Sequence, residues 1–117
     1  MKLLDLPTPI QSYFSAKGTD ASVAASCFGE NAVVFDIGED LEVRGIDAIG
    51  SWLSRTNDSY KLTSEVRSAE ERGGEYVVEV IVSGDFPGSP YQFAYRFKLA
   101  GEKLQELAID PIGPLID

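Results

Sequence analysis

Tyr91-Gln92-Phe93-Ala94-Tyr95-Arg96-Phe97-Lys98-Leu99 (YQFAYRFKL) alternates along its whole length. Tyr91, Phe93, Tyr95, Phe97 and Leu99 fall on one parity, and Gln92, Ala94, Arg96 and Lys98 on the other. Successive side chains of a strand point to opposite faces, so this is a strand with one aromatic face and one polar face. The same pattern extends upstream. In 75–86, Tyr76, Val78, Val80, Val82 and Phe86 share a parity against Val77, Glu79, Ile81 and Asp85. In 61–71, Leu62, Ser64, Val66 and Ser68 oppose Thr63, Glu65, Arg67 and Ala69. Gly73-Gly74, Pro87-Gly88-Ser89-Pro90 and Ala100-Gly101-Glu102 separate these runs, and Leu104–Asp110 is a fourth. Short connections between sequential strands imply an antiparallel meander. Its aromatic face needs cover. On the other face Glu65, Arg67, Glu79, Arg96, Lys98 and Glu106 suit cross-strand pairing.

The cover comes from the first half of the chain. Thr8-Pro9 reads as an N-cap followed by proline at the first helical position. Ile10, Tyr13 and Phe14 then recur at helical spacing up to Gly18. Thr19 or Asp20 caps a second short helix with Val23, Ala24, Cys27 and Phe28 as its apolar stripe and Gly29 at its end. From Ala32 the period changes to that of a strand through Ile37. Gly38-Glu39-Asp40 turns the chain, and Leu41–Arg44 returns as a hairpin partner. Ile46–Thr56 is a third helix with Ile49, Trp52 and Leu53 on one face, and Gly50 inside it points to close packing against a neighbour. The fold read from these elements is α+β: a curved antiparallel sheet wrapped around three N-terminal helices, one domain over residues 1–117 with its core at about 8–110.

Composition narrows the chemistry. The chain has 19 acidic and 10 basic side chains, a net charge of −9, one cysteine and no histidine. A disulfide framework, the usual zinc sites and histidine-based nucleophilic triads are excluded. The negative charge argues against nucleic-acid and anionic-membrane partners, and the glycines have no phosphate-binding spacing. No cofactor or metal is implied. Met1–Leu6 is too short for a secretory leader, and no run approaches the ~18 apolar residues of a membrane span, so a cytoplasmic location is expected. Cys27 lies on an apolar stripe, where a buried structural thiol is expected.

The order of these elements resembles the nuclear transport factor 2-like superfamily, which includes ketosteroid isomerase and the SnoaL-like polyketide cyclases. The resemblance rests on Ala25–Val34 (ASCFGENAVV), Arg44–Trp52 (RGIDAIGSW), Tyr95-Arg96-Phe97 and Ser83–Pro90 (SGDFPGSP), and covers about 8–110. It implies a cone-shaped, cystatin-like roll, and a fold that hosts isomerases, cyclases, dehydratases and non-catalytic binders. Asp36 resembles in position the isomerase's catalytic base. Tyr13 resembles the tyrosine that donates to the developing oxyanion. The position of that family's second donor, a protonated aspartic acid, falls on Phe93, which cannot donate. The cyclases' histidine has no counterpart in this chain. Phe14, Phe28, Trp52, Tyr76, Phe86, Phe93 and Tyr95 are expected to line an apolar pocket. Three functions follow: a SnoaL-like protein that binds a small hydrophobic molecule, an isomerase, cyclase or dehydratase using Asp36 as general base without a metal, and a dimeric interaction module without ligand. Relatives commonly dimerise through the outer sheet face, so a homodimer is expected there, with Val77, Ile81, Ala94 and Ala108 between the charges. The tail Pro111–Asp117 is expected to close over the pocket or lie along a partner subunit.

Overall fold

The computed structural model describes residues 5–114, with the backbone alone for 57–60. The readings on residues 1–4 and on the last three residues of the tail lie outside these. Helix α1 (Thr8–Ala16) begins one residue earlier than Thr8-Pro9 suggests. Pro7, extended at φ −53° and ψ 146°, is the cap, and its carbonyl accepts from the N–H groups of Ile10 and Gln11. Thr8 is therefore helical. Pro9 still sits in the first turn, where a missing N–H costs nothing.

Helix α2 (Ala21–Ser26) is capped by Asp20, whose Oδ1 accepts from the N–H of Ser22 at 3.1 Å and of Val23 at 3.2 Å. It stops earlier than its expected stripe. Phe28 opens strand β1 (Phe28–Asp36), Gly29 lies within that strand, and Val23 is 47% exposed. The reason is long-range: Phe28 pairs with Leu104 and is buried as a strand residue. Small residues make up the rest of the helix. A Cβ at Gly50 would meet the Ala25 methyl at 3.5 Å, an ordinary contact that leaves room for a methyl, so the neighbour expected there is α2.

A 3-10 turn over Ile37–Glu39 leads to β2 (Leu41–Arg44) and then to α3 (Ile46–Tyr60), which runs beyond Thr56. Strands β3 (Thr63–Arg72) and β4 (Glu75–Ser83) join through Gly73 and Gly74, both at positive φ as a tight two-residue hairpin requires. Strand β4 stops at Ser83, so Phe86 lies in the loop to β5 (Tyr91–Ala100). Strand β6 (Lys103–Pro114) is longer than expected and takes in the start of the tail.

The strand order is β2-β1-β6-β5-β4-β3, one sheet with three helices on its inner face. The meander is antiparallel throughout. The β1–β2 hairpin joins it through one parallel ladder, β1 to β6, which makes the sheet mixed. Irregularities in register between Val66 and Ser68, Gln92 and Phe93, and Lys98 and Leu99 help bend it. The first of these corrects the parity of β3. Arg67 is the extra residue, so Ala69 and Glu71, not Ser68, pair with Val78 and Tyr76 on the inner face.

Two cross-strand rows organise the interior. One runs Val34, Leu107, Phe97, Tyr76, and its first three members are fully buried. The next runs Leu41, Asp36, Ile109, Tyr95, Val78, Ala69. On the outer face Arg96 Nε donates to Asp110 at 2.6 Å, Lys98 lies 3.4 Å from Glu106, and Gln92 Nε2 donates to Glu79 at 3.2 Å.

Candidate functional site

Asp36 is where the sheet's apolar row turns polar. As the last residue of β1 it shares the inner face with Ile109 and Tyr95, and it is half-buried. Burial raises its carboxyl above the usual range, and the charge of Glu39 adds to this. Hydrogen bonds from the backbone of Glu39 and the side chain of Trp52 pull the other way. The turn after β1 supplies the first of these and α3 the second. Leu41, which pairs with Asp36 across the β1–β2 ladder, is 41% exposed, and Ile37, the next residue along the chain, is 46% exposed.

Tyr13 projects from α1 into the core and is fully buried. Its ring meets Phe14 at 5.3 Å, Phe28 at 5.6 Å and Phe97 at 5.8 Å, each edge-on, the geometry that aromatic quadrupoles favour. Its hydroxyl has no hydrogen-bond partner among the described residues. Burial first, then the nearby Tyr95 and Asp36, push its ionisation well above the ordinary tyrosine range. Tyr13 is thus a neutral phenol with its O–H unused, close enough to Asp36 to feel its charge.

The seven aromatic positions all lie in or against the core. Phe28, Trp52 and Tyr95 are buried, and Phe14, Tyr76, Phe86 and Phe93 are half-buried. Phe14 meets Tyr95 at 5.4 Å and Phe97 at 5.7 Å, so rings close the deep end of the interior. Two surface clefts, of about 450 and 550 Å³, lie along α1 and α2, the second reaching Leu99 and Lys103. Neither is lined by Asp36, Tyr13 or any of the seven aromatics.

One polar residue of this interior escapes a reading by aromatic content. Lys17 caps α1 and is only 5% exposed. Its Nζ donates to Ser64 Oγ at 2.8 Å and to Tyr95 Oη at 3.1 Å. The signal was present: Lys17 is seven residues after Ile10, on the stripe that Tyr13 and Phe14 mark. Cys27, at the end of α2, is buried and free. Its thiol lies 3.6 Å from the Val23 carbonyl, and burial raises its ionisation. Among the described residues no three His, Cys, Asp or Glu side chains cluster as a metal site would need, and no helix is long and apolar enough to cross a membrane.

Solved structures with this architecture are numerous. A candidate polyketide cyclase from Sinorhizobium meliloti superposes with a TM-score of 0.87 at 29% identity, covering 94% of this chain and 100% of that one. A ketosteroid isomerase-like protein from Catenulispora acidiphila, solved with trimethylamine, gives 0.79 at 17% identity over 88% and 84% of the two chains. A nuclear transport factor 2-like protein of unknown function from Cytophaga hutchinsonii gives 0.72 at 14% identity over 96% and 95%. No protein-family model matches the sequence, and no curated protein matches it. The chain has the fold of nuclear transport factor 2-like proteins, and polyketide cyclase-like and ketosteroid isomerase-like proteins are among its structural neighbours.

Proposed function

We propose that the protein binds a small hydrophobic molecule carrying a carbonyl group, its apolar body against the half-buried aromatics and its oxygen on Tyr13. The observation that carries this reading is the Tyr13 hydroxyl, buried in an apolar interior without a partner. Leaving such a group unsatisfied costs about 1–3 kcal/mol, which a ligand oxygen would recover. Thermal melts with 2-tetralone test it. The ketone should raise the melting temperature of the wild type and do so less in Tyr13→Phe, and equal shifts in both would sink the reading.

The placement of Asp36 favours a second reading of the same site, proton transfer. A carboxylate on the inner face could take a proton from the carbon next to the carbonyl. The electron pair would move to the oxygen, the Tyr13 O–H would stabilise the resulting enolate, and the proton would be returned to carbon. Burial adjusts Asp36 in the direction a base requires. Solvent deuterium should enter 2-tetralone at that carbon with the wild type and not with Asp36→Asn, as read by mass spectrometry. An equally active Asn variant would leave the pocket as a binder only. The raised carboxyl also has a stability signature. The folded state holds this proton more tightly than the unfolded chain does, so stability falls as pH rises from about 4 through the Asp36 value. Asp36→Asn should therefore gain melting temperature over wild type at pH 7 and little at pH 3.

We also propose a cytoplasmic location, in keeping with the free thiol of Cys27, and a homodimer through the outer sheet face. Ile81 and Ala108 are already buried within one chain, which leaves half-buried Val77 and Ala94 among the ion pairs as the apolar part of that contact. Light scattering after gel filtration should give twice the 12.7 kDa chain mass, and a monomer at all concentrations refutes it.

A further inference from the structure

We propose that Lys17 is a positioning residue that holds the Tyr95 hydroxyl as a second hydrogen-bond donor of the interior, and that the pocket thereby favours ligands whose oxygen is anionic. This rests on the reading of the interior as a ligand pocket, and it concerns residues outside the pair Asp36 and Tyr13.

A lysine ammonium has three hydrogens to give and no lone pair, so Tyr95 Oη and Ser64 Oγ both accept from it. Tyr95 therefore keeps its own hydrogen, and no acceptor for it is found among the described residues. The Tyr13 oxygen is not within reach, because that hydroxyl bonds to nothing described. Two phenolic O–H groups with unused hydrogens thus share one interior, their ring centres 6.4 Å apart.

Position on the sheet strengthens this. Tyr95 stands in the same cross-strand row as Asp36 with Ile109 between them, roughly 10 Å apart at the backbone by strand spacing. Phe93, which cannot donate, is two residues before Tyr95 on the same face. The cation behind Tyr95 lies 5.2 Å from its ring centre as well as on its oxygen. A hydroxyl that accepts from a cation donates more strongly in turn, and in a low-dielectric interior that gain goes to an acceptor bearing negative charge.

The test compares two probes of similar shape, 4-nitrophenolate and neutral 4-methylphenol, by calorimetric titration of the full chain. The wild type should prefer the phenolate. Tyr95→Phe, which removes one oxygen, should lower phenolate affinity about tenfold and leave 4-methylphenol unchanged. Lys17→Met should do the same, and Lys17→Arg, which keeps a cation at the site, should restore part of the preference. If Lys17→Met does not fold, Tyr95→Phe and Lys17→Arg carry the test. A merely structural role would weaken both probes alike and overturn the proposal. So would a wild type without preference, or a preference kept in Tyr95→Phe. Asp36→Asn separates the two readings: persistent deuterium exchange with the phenolate preference intact removes the base and leaves the second donor standing. If neither phenol binds, the pocket reading falls and this inference falls with it.

Discussion

The deep end of the interior and the Asp36 end are built from the same residue types and behave differently. At the deep end Tyr13, Phe28 and Phe97 are fully enclosed and meet edge to face. Toward Asp36 the rings of Phe86 and Phe93 are half-buried, Leu41 and Ile37 are exposed, and a carboxylate enters the row. Aromatic side chains thus do two jobs here, and enclosure tells them apart. One set fixes the fold. The other keeps part of its ring surface in water.

The sharpest way to break this contrast is to delete one ring from each end. Phe97→Ala should cost about 3–5 kcal/mol of unfolding free energy, the range for a large buried aromatic. Phe93→Ala should cost about 1–2 kcal/mol, because part of its ring already meets water. Denaturant titration measures both, and equal losses would mean that the Asp36 end is as closed as the deep end. Tyr13→Phe probes the unpartnered hydroxyl of the deep end. It should raise stability by about 1 kcal/mol while weakening ketone binding, and a loss of stability would reveal a partner for the hydroxyl. The smallest effect is expected from Gly50→Ala in α3, the helix that carries Trp52 to Asp36. The site has room for a methyl beside Ala25. A gain of about 0.5–1 kcal/mol in the melt would follow from helix propensity alone.

Much of the fold was legible because β4 and β5 alternate cleanly and their turns carry glycine and proline. What was not legible was non-local. Val23, Ala24, Cys27 and Phe28 suit a helix stripe, Phe28 suits a strand start equally well, and only the pairing of Phe28 with Leu104 decides between them. The parallel ladder between β1 and β6 leaves no local signal, and the bulge at Arg67 reverses a parity that looked continuous. The site divides in the same way. The aromatic positions followed from parity, and Asp36 from resemblance. The burial of Asp36 depends on β6, and the partners of Lys17 come from β3 and β5, which no sequence window contains.

That parallel ladder also carries an entropic cost that the meander does not. The meander from β3 to β6 is made of neighbouring hairpins whose loops close over short distances. The ladder that encloses Asp36 matches Phe35 with Ala108, so it must close a loop of about seventy residues before its contacts reward the closure. The carboxylate therefore depends for its enclosure on a strand about seventy residues further along the chain, and without β6 in place it lacks one wall. Its altered chemistry belongs to the finished fold alone, so a half-folded chain presents the residue without the property.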